Sequence, residues 1–218
     1  MTSDTPSSMR PVHAGRVADE VGRALVDAAH QVLAEEGPFG LTVRRVAQVA
    51  GVSTMNVYSR FGGKDGLIER LFIDGFTRLG ERMKPLTPTG DPLDDLRRCG
   101  LEYRRFALEN PTYYMVMFDT IVPDWRPSEV AEAVAMATLA GLTAQVQRAI
   151  DSGQLLATDA HSLAVSFWAT SHGLVSLEMR LGAVHPYNWA AIYEETCTRL
   201  RDGFRNPPVA GDYGRPDD

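Results

Sequence analysis

Two cysteines, Cys99 and Cys197, are all the thiols that 218 residues carry. They stand far apart without metal-ligand spacing, so they read as reduced thiols in a reducing compartment, and no metal is expected. Long apolar runs are missing as well: no stretch approaches the ~20 residues that span a bilayer. The opening MTSDTPSSMRPVHAGR has no apolar core of the kind a signal peptide needs, which predicts a cytoplasmic protein. HExxH, CxxC, a Walker loop and a nucleophile elbow are all lacking, so neither an enzyme nor a cofactor is expected. His161 and His172 would lie ~16 Å apart on one helix, too far to share a metal ion. Sustained strand alternation, hairpin turns and internal repeats are absent too. The fold class is therefore all-α.

What is present is ordinary in bulk and uneven in detail. Hydrophobic residues make up 44% and charged residues 23%, the balance of a soluble globular protein. The net charge of −6 hides an asymmetry, since residues 1–84 carry +1 and residues 85–218 carry −7. An acidic body confines any contact with nucleic acid to the other end. Between Glu36 and Asp65 there is no Asp or Glu, while Arg44, Arg45, Arg60 and Lys64 fall inside that gap. The same stretch, LTVRRVAQVAGVSTMNVYSRFGGK, reads as two short helices joined by a turn. Val43, Val46, Ala47 and Ala50 repeat at helical spacing, and Gly51 permits the sharp turn that follows. Ser53 is the expected N-cap of a second helix, Thr54 to Arg60, with Val57 and Phe61 facing inward.

A helix of this kind puts short polar side chains into a major groove while its flanks hold the backbone. Thr54, Met55 and Asn56 are the candidate base contacts, since Asn pairs with adenine and Met or a Thr methyl meets the thymine methyl. Tyr58, Arg60 and Lys64 suit phosphate, with Lys64 opening the next helix, and Ser53 and Ser59 complete the candidate DNA-binding set. Thr42 caps the helix before the turn within reach of phosphate, and Arg44 projects from it toward base or backbone. For each of these the plain alternative is a cap, a packing residue or a solvated face.

The segment from about Val21 to Leu79 resembles the DNA-binding domain of TetR-type transcriptional repressors. Gly37, the LTVRRVAQVAGVS run, the NVYSRF core and Lys64 carry that resemblance. It implies that Tyr58 hydrogen-bonds phosphate. FWATSHGLVSLE resembles the Trp…His-Gly segment of one subgroup of the family's C-terminal domains.

Residues 1–18 read as a disordered N-terminal arm. Residues 19–84 read as a three-helix head with a connecting helix, divided from the rest by KPLTPTGDP. Residues 85–205 read as a body for ligand binding and dimerisation, and 206–218 as a disordered tail. About six helices are expected in the body. Asp91 and Pro92 open the first, and Thr158 or Asp159 caps a later one. The resemblance implies that the last two helices pair with their symmetry mates, with Leu174, Leu181, Trp189, Ile192, Thr196 and Leu200 in the seam. Tyr103, Phe106, Tyr114, Met117, Phe118 and Trp125, with Trp168 and His172, suit an apolar or aromatic effector in a cavity. A filled core is the competing reading for them. The expected function is a homodimeric, ligand-responsive repressor that binds palindromic double-stranded DNA. A constitutive DNA-binding regulator and a helical small-molecule-binding protein are the alternatives.

Overall fold

The computed structural model describes residues 12–84, 89–119, 125–185 and 187–207, with side chains from residue 20 onward. Among the described residues there are nine helices and no strand, apart from an isolated bridge between Leu155 and Arg205. The helices are α1 (Val12–Gly40), α2 (Val43–Val49), α3 (Thr54–Phe61), α4 (Lys64–Met83) and α5 (Pro92–Glu109), followed by α6 (Pro111–Phe118), α7 (Glu129–Asp151), α8 (Ala160–Leu181) and α9 (Trp189–Gly203). Among the described residues three helices, α1 to α3, are followed by six, α4 to α9, as expected of an all-α head and helical body.

Sequence signals place most of these boundaries. At Gly37 the backbone turns to φ 70°, a region glycine enters without penalty, and α1 breaks there ahead of Pro38. Thr42 caps α2 by accepting from Arg45 N at 3.1 Å. Asp91 caps α5 by accepting from the amides of Leu93 and Asp94, with Pro92 in the first turn. Asp159 does the same for α8 through Ser162 N at 2.7 Å. Two expectations need correcting. Helix α1 begins at Val12 rather than Asp19, because Ala14, Val17 and Val21 extend the three- and four-residue spacing of apolar positions in its sequence. Asn206 belongs to the ordered chain, since its Nδ2 donates to Gly153 O at 2.6 Å and Leu155 O at 3.1 Å. The remainder of the arm, residues 1–11, and of the tail, 208–218, lie outside the described residues.

The chain divides into two compact units, and the division does not follow the boundary at Lys84. One unit runs to Asp74 and also includes Thr112–Ser128; the other comprises Gly75–Pro111 and the chain from Glu129. Packing explains why the later segment joins the first unit. The Tyr113 ring lies 4.7 Å from that of His30, Trp125 lies 5.7 Å from Phe72, and Ser128 Oγ donates to Glu69 Oε1 at 2.6 Å. In this unit α1, α2 and α3 bury Leu25, Ala29, Val46 and Val57 with Leu67, Ile68 and Leu71 of α4.

In the second unit α5, α7, α8 and α9 pack together. Tyr193 Oη donates to Gly100 O at 2.6 Å, tying α9 to α5. Arg104 makes a two-pronged contact with Glu178 on α8, Nε to Oε2 at 2.8 Å, and lies over the Tyr193 ring. Asp95, only 3% exposed, accepts from Thr89 N at 3.1 Å, Thr89 Oγ1 at 3.0 Å and Arg148 at 3.2 Å. Burial pushes its carboxyl up, and these bonds outweigh that effect and hold it below the usual range.

Candidate nucleic-acid interface and effector cavity

The position of α3 follows from one anchor and two glycines. Val57 is fully buried and fixes which side of α3 faces inward. Gly62, at φ 72°, ends the helix in the left-handed conformation, its N–H donating to Tyr58 O at 3.0 Å. Gly63 follows at φ 140° and lies under the Tyr58 ring, which a β-carbon there would meet at 3.7 Å.

On the other side of α3, Met55 is 70% exposed and Tyr58 56%. Thr54, Ser59 and Arg60 are also exposed, as are Thr42 and Arg44 on α2 and its cap. Lys64 is half-buried at the start of α4. Phe61 is half-buried rather than fully packed inward.

Ser53 and Asn56 behave differently from the expectation. Ser53 occupies the cap position with extended backbone, yet its hydroxyl caps no amide. The amide of Asn56 instead donates to Ser53 O at 3.0 Å, a tightened first turn, and Ser53 Oγ accepts from Asn56 Nδ2 at 3.1 Å. Asn56 Oδ1 in turn accepts from Arg60 at 2.7 Å. This Ser53–Asn56–Arg60 chain preorganises one edge of α3. These two bonds use one of the two amide hydrogens of Asn56 and one of the two lone pairs of its oxygen. Arg45, inside the acid-free stretch of sequence, is paired with Glu36 at 2.6 Å, so its charge is compensated.

The second unit contains a cavity of about 70 Å³. Its walls come from Met83 of α4, Leu96, Cys99 and Tyr103 of α5, Leu142 of α7, Phe167, Trp168 and Ser171 of α8, and Tyr193 and Cys197 of α9. Arg97, Glu194 and Arg201 also line it, and each has a counter-charge: Arg97 pairs with Asp94 at 3.0 Å and Glu194 at 3.4 Å, Arg201 with Asp202 at 2.9 Å. Both cysteines of the chain therefore line one cavity. Burial pushes the Cys99 thiol up to about 12, against a smaller opposing effect of the Gln145 amide, and it raises Cys197 in the same direction. Neither thiol is a ready nucleophile.

The residues expected at an effector site are only partly brought together. Tyr103 and Trp168 line the cavity. His172 acts behind them: its Nδ1 is 3.3 Å from Tyr103 Oη and its Nε2 3.5 Å from Ser176 Oγ. Phe106 is buried at 1% exposure and is not a wall residue. Tyr114, Met117, Phe118 and Trp125 belong to the other unit, where Tyr114 packs on Phe118 at 4.8 Å and Trp125 on Phe72. Their closeness in sequence predicts a common lining, but the division between the two units falls at Pro111 and assigns them to the first. The aliphatic walls, Met83, Leu96 and Leu142, come from three helices and had no local signal. The expected seam residues Leu174, Leu181, Trp189, Ile192, Thr196 and Leu200 are all half-buried, and Leu177 beside them is 48% exposed.

A short exposed helix after a glycine turn, with α2 before it and further helices behind it in the chain, is a helix-turn-helix arrangement. Residues 25–71 match the model of bacterial regulatory proteins of the tetR family, and residues 96–200 match the tetracyclin repressor-like C-terminal domain. The chain belongs to the TetR family. It is 22% identical over 145 residues to the HTH-type transcriptional regulator Rv1816 of Mycobacterium tuberculosis, covering 65% of this chain and 62% of the relative. The match thus spans less than two thirds of the curated relative's length. A protein of unknown function from Rhodococcus sp. RHA1 has the same fold, with a TM-score of 0.75 at 21% identity, over 85% of this chain and 96% of that one. The TetR-family regulator PfmR of Thermus thermophilus aligns with a TM-score of 0.64 at 17% identity, over 84% and 99%. Among the described residues no helix is long and apolar enough to cross a membrane.

Proposed function

We propose that the chain works as a homodimeric repressor that grips palindromic DNA through α3 and lets go when an uncharged aromatic or apolar effector enters the second unit. In this reading Thr54, Met55 and Asn56 meet base edges, while Thr42, Arg44, Tyr58, Ser59, Arg60 and Lys64 hold phosphates. Ser53 orders Asn56 rather than touching DNA. The observation that carries the proposal is the outward face of α3, with Met55 and Tyr58 exposed and no carboxylate between residues 37 and 64. Exposed apolar and aromatic side chains amid cations suit a groove better than bulk water.

Dimerisation through α8 and α9 is supported by the half-buried apolar rows that those helices keep in a single chain. Two α3 helices would then reach half-sites one DNA turn apart, about 34–36 Å. The effector part rests on the cavity beside Tyr103 and Trp168, whose charged lining residues are each paired. Unpaired charge is what an ionic ligand would require, so a neutral one fits better. Helix α4 is the natural coupling element, since Lys64 opens it and Met83, in the cavity wall, closes it. An effector must bind the two states with different affinity to shift their populations.

Selection of bound sequences from random duplexes by the full chain tests the reading, followed by sedimentation of the complex. A palindrome bound by two chains is expected. A non-palindromic consensus, or binding that never saturates at physiological salt, would overturn it.

A further inference from the structure

The sulfur atoms of this chain differ sharply in access. Both thiols are shielded: Cys99 is buried, Cys197 half-buried, and burial raises each above its ordinary range, so little thiolate meets an oxidant. The thioethers are graded by exposure. Among the described residues Met83 and Met117 are buried, Met115 and Met179 half-buried, and Met55 and Met136 exposed at 70% and 56%. A thioether needs no deprotonation to react, so access decides which one a peroxide reaches first. Met55 heads that order.

Its position makes that reactivity consequential. Met55 lies in the first turn of α3, one helical turn before the exposed Tyr58, and buried Val57 holds the opposite side of the helix inward. In the DNA-binding reading, on which this inference rests, the Met55 side chain meets a thymine methyl. Sulfoxidation replaces that apolar surface by a polar S=O group, which accepts hydrogen bonds and donates none. Opposite a methyl group the new oxygen finds no donor, so docking strips its water without return. Met136 lies on α7 in the other unit, where none of the proposed DNA contacts is found.

We propose that Met55 is a reversible oxidation site through which hydroperoxides weaken the grip of α3 on DNA. A sulfur lone pair attacks one peroxide oxygen, and an S–O bond forms as the O–O bond breaks. The proton on the transferred oxygen leaves with the departing hydroxide as water. The thioether is oxidised by two electrons, and the peroxide is reduced by the same two. A methionine sulfoxide reductase reverses the change: two thiols supply the electrons, become a disulfide, and the oxygen departs as water. The sulfoxide is neutral, so the effect is one of shape and solvation rather than charge.

The test follows a fluorescent duplex carrying the sequence selected from random DNA, bound by the full chain before and after hydrogen peroxide. Peptide masses record which methionines gain oxygen. Met55 should gain it before Met136, and affinity should fall roughly 10-fold per half-site, about 100-fold for two chains. The slope of affinity against salt should stay constant, because no charge changes. Reductases for both sulfoxide epimers, with dithiothreitol, should restore binding. Each variant is read against its own affinity before peroxide: Met136→Leu should lose as much as the parent, and Met55→Leu should lose almost nothing. Full affinity with Met55 completely oxidised, an equal loss in Met55→Leu, slower oxidation of Met55 than of Met136, or a loss that the reductases leave in place would each overturn the proposal. A parent that binds no duplex before peroxide would sink the repressor reading and this proposal with it. Binding intact both before and after would sink this proposal alone.

Discussion

Replacing Lys64 by Ala should flatten the salt dependence of DNA binding by a calculable amount. In the proposed reading Arg44, Arg60 and Lys64 are the cations that each chain offers to phosphate, because Arg45 is engaged by Glu36. A dimer then presents about six, and at ~0.9 per neutralised phosphate log K should fall with log salt at a slope of roughly −5. Between 50 and 200 mM salt the parent protein would lose about a thousandfold in affinity. Lys64→Ala removes one cation per chain, which brings the slope to roughly −3.5 and the loss to about a hundredfold. Tyr58→Phe removes a hydrogen bond and no charge, so it should weaken binding with the slope unchanged. The paired change Glu36→Ala with Arg45→Ala should leave the slope alone, because that pair is already neutral. Fluorescence anisotropy of a labelled operator at four salt concentrations measures all of these. An unchanged slope in Lys64→Ala, or a flatter one in the paired variant, would refute the assignment of charges.

Asp95→Asn should destabilise the fold by ~2 kcal/mol near neutral pH, the scale of charge-assisted bonds to a buried carboxylate. Its carboxyl is held below the usual range in the folded state, so its contribution exists above the unfolded value and fades as pH falls through the folded one. Melting curves between pH 7 and pH 3 should therefore converge for parent and variant at the acid end. Gly62→Ala should cost ~1 kcal/mol, since alanine is strained at φ 72°, and urea titration measures it. Cys99 should resist a thiol-reactive disulfide reagent at pH 8 in the native protein and react promptly in guanidinium, since its thiol is buried and raised to about 12. Asn56→Ala should blur the operator consensus and also release Arg60 from its intrahelical bond, read by repeating the sequence selection.

Local signals carried much of the fold. Caps at Thr42, Asp91 and Asp159, glycines at 51, 62 and 153, and apolar spacing in α4 each act within a few residues, so a linear reading reaches them. The exposed face of α3 was legible for the same reason: one short helix with one buried valine leaves little choice. The cavity was not. Its walls are drawn from α4, α5, α7, α8 and α9, and only tertiary packing selects which side of each helix takes part. The aromatic cluster around Tyr114 looked like a lining because its members adjoin in sequence, although adjacency says nothing about which unit they join. Two side chains changed role for a similar reason. Ser53 and His172 each found a neighbour one helical turn away, a pairing decided by rotamers rather than by composition.

Because Thr112–Ser128 packs with the first helices, the unit that carries α3 cannot be excised as one continuous piece of chain. A fragment ending at Met83 would strip His30 and Phe72 of their ring neighbours and leave oily patches facing solvent. Anyone grafting this head onto a foreign sensor should transplant the later stretch along with it. Homologous regulators spliced at the Pro-rich joint would otherwise inherit a head lacking part of its own support.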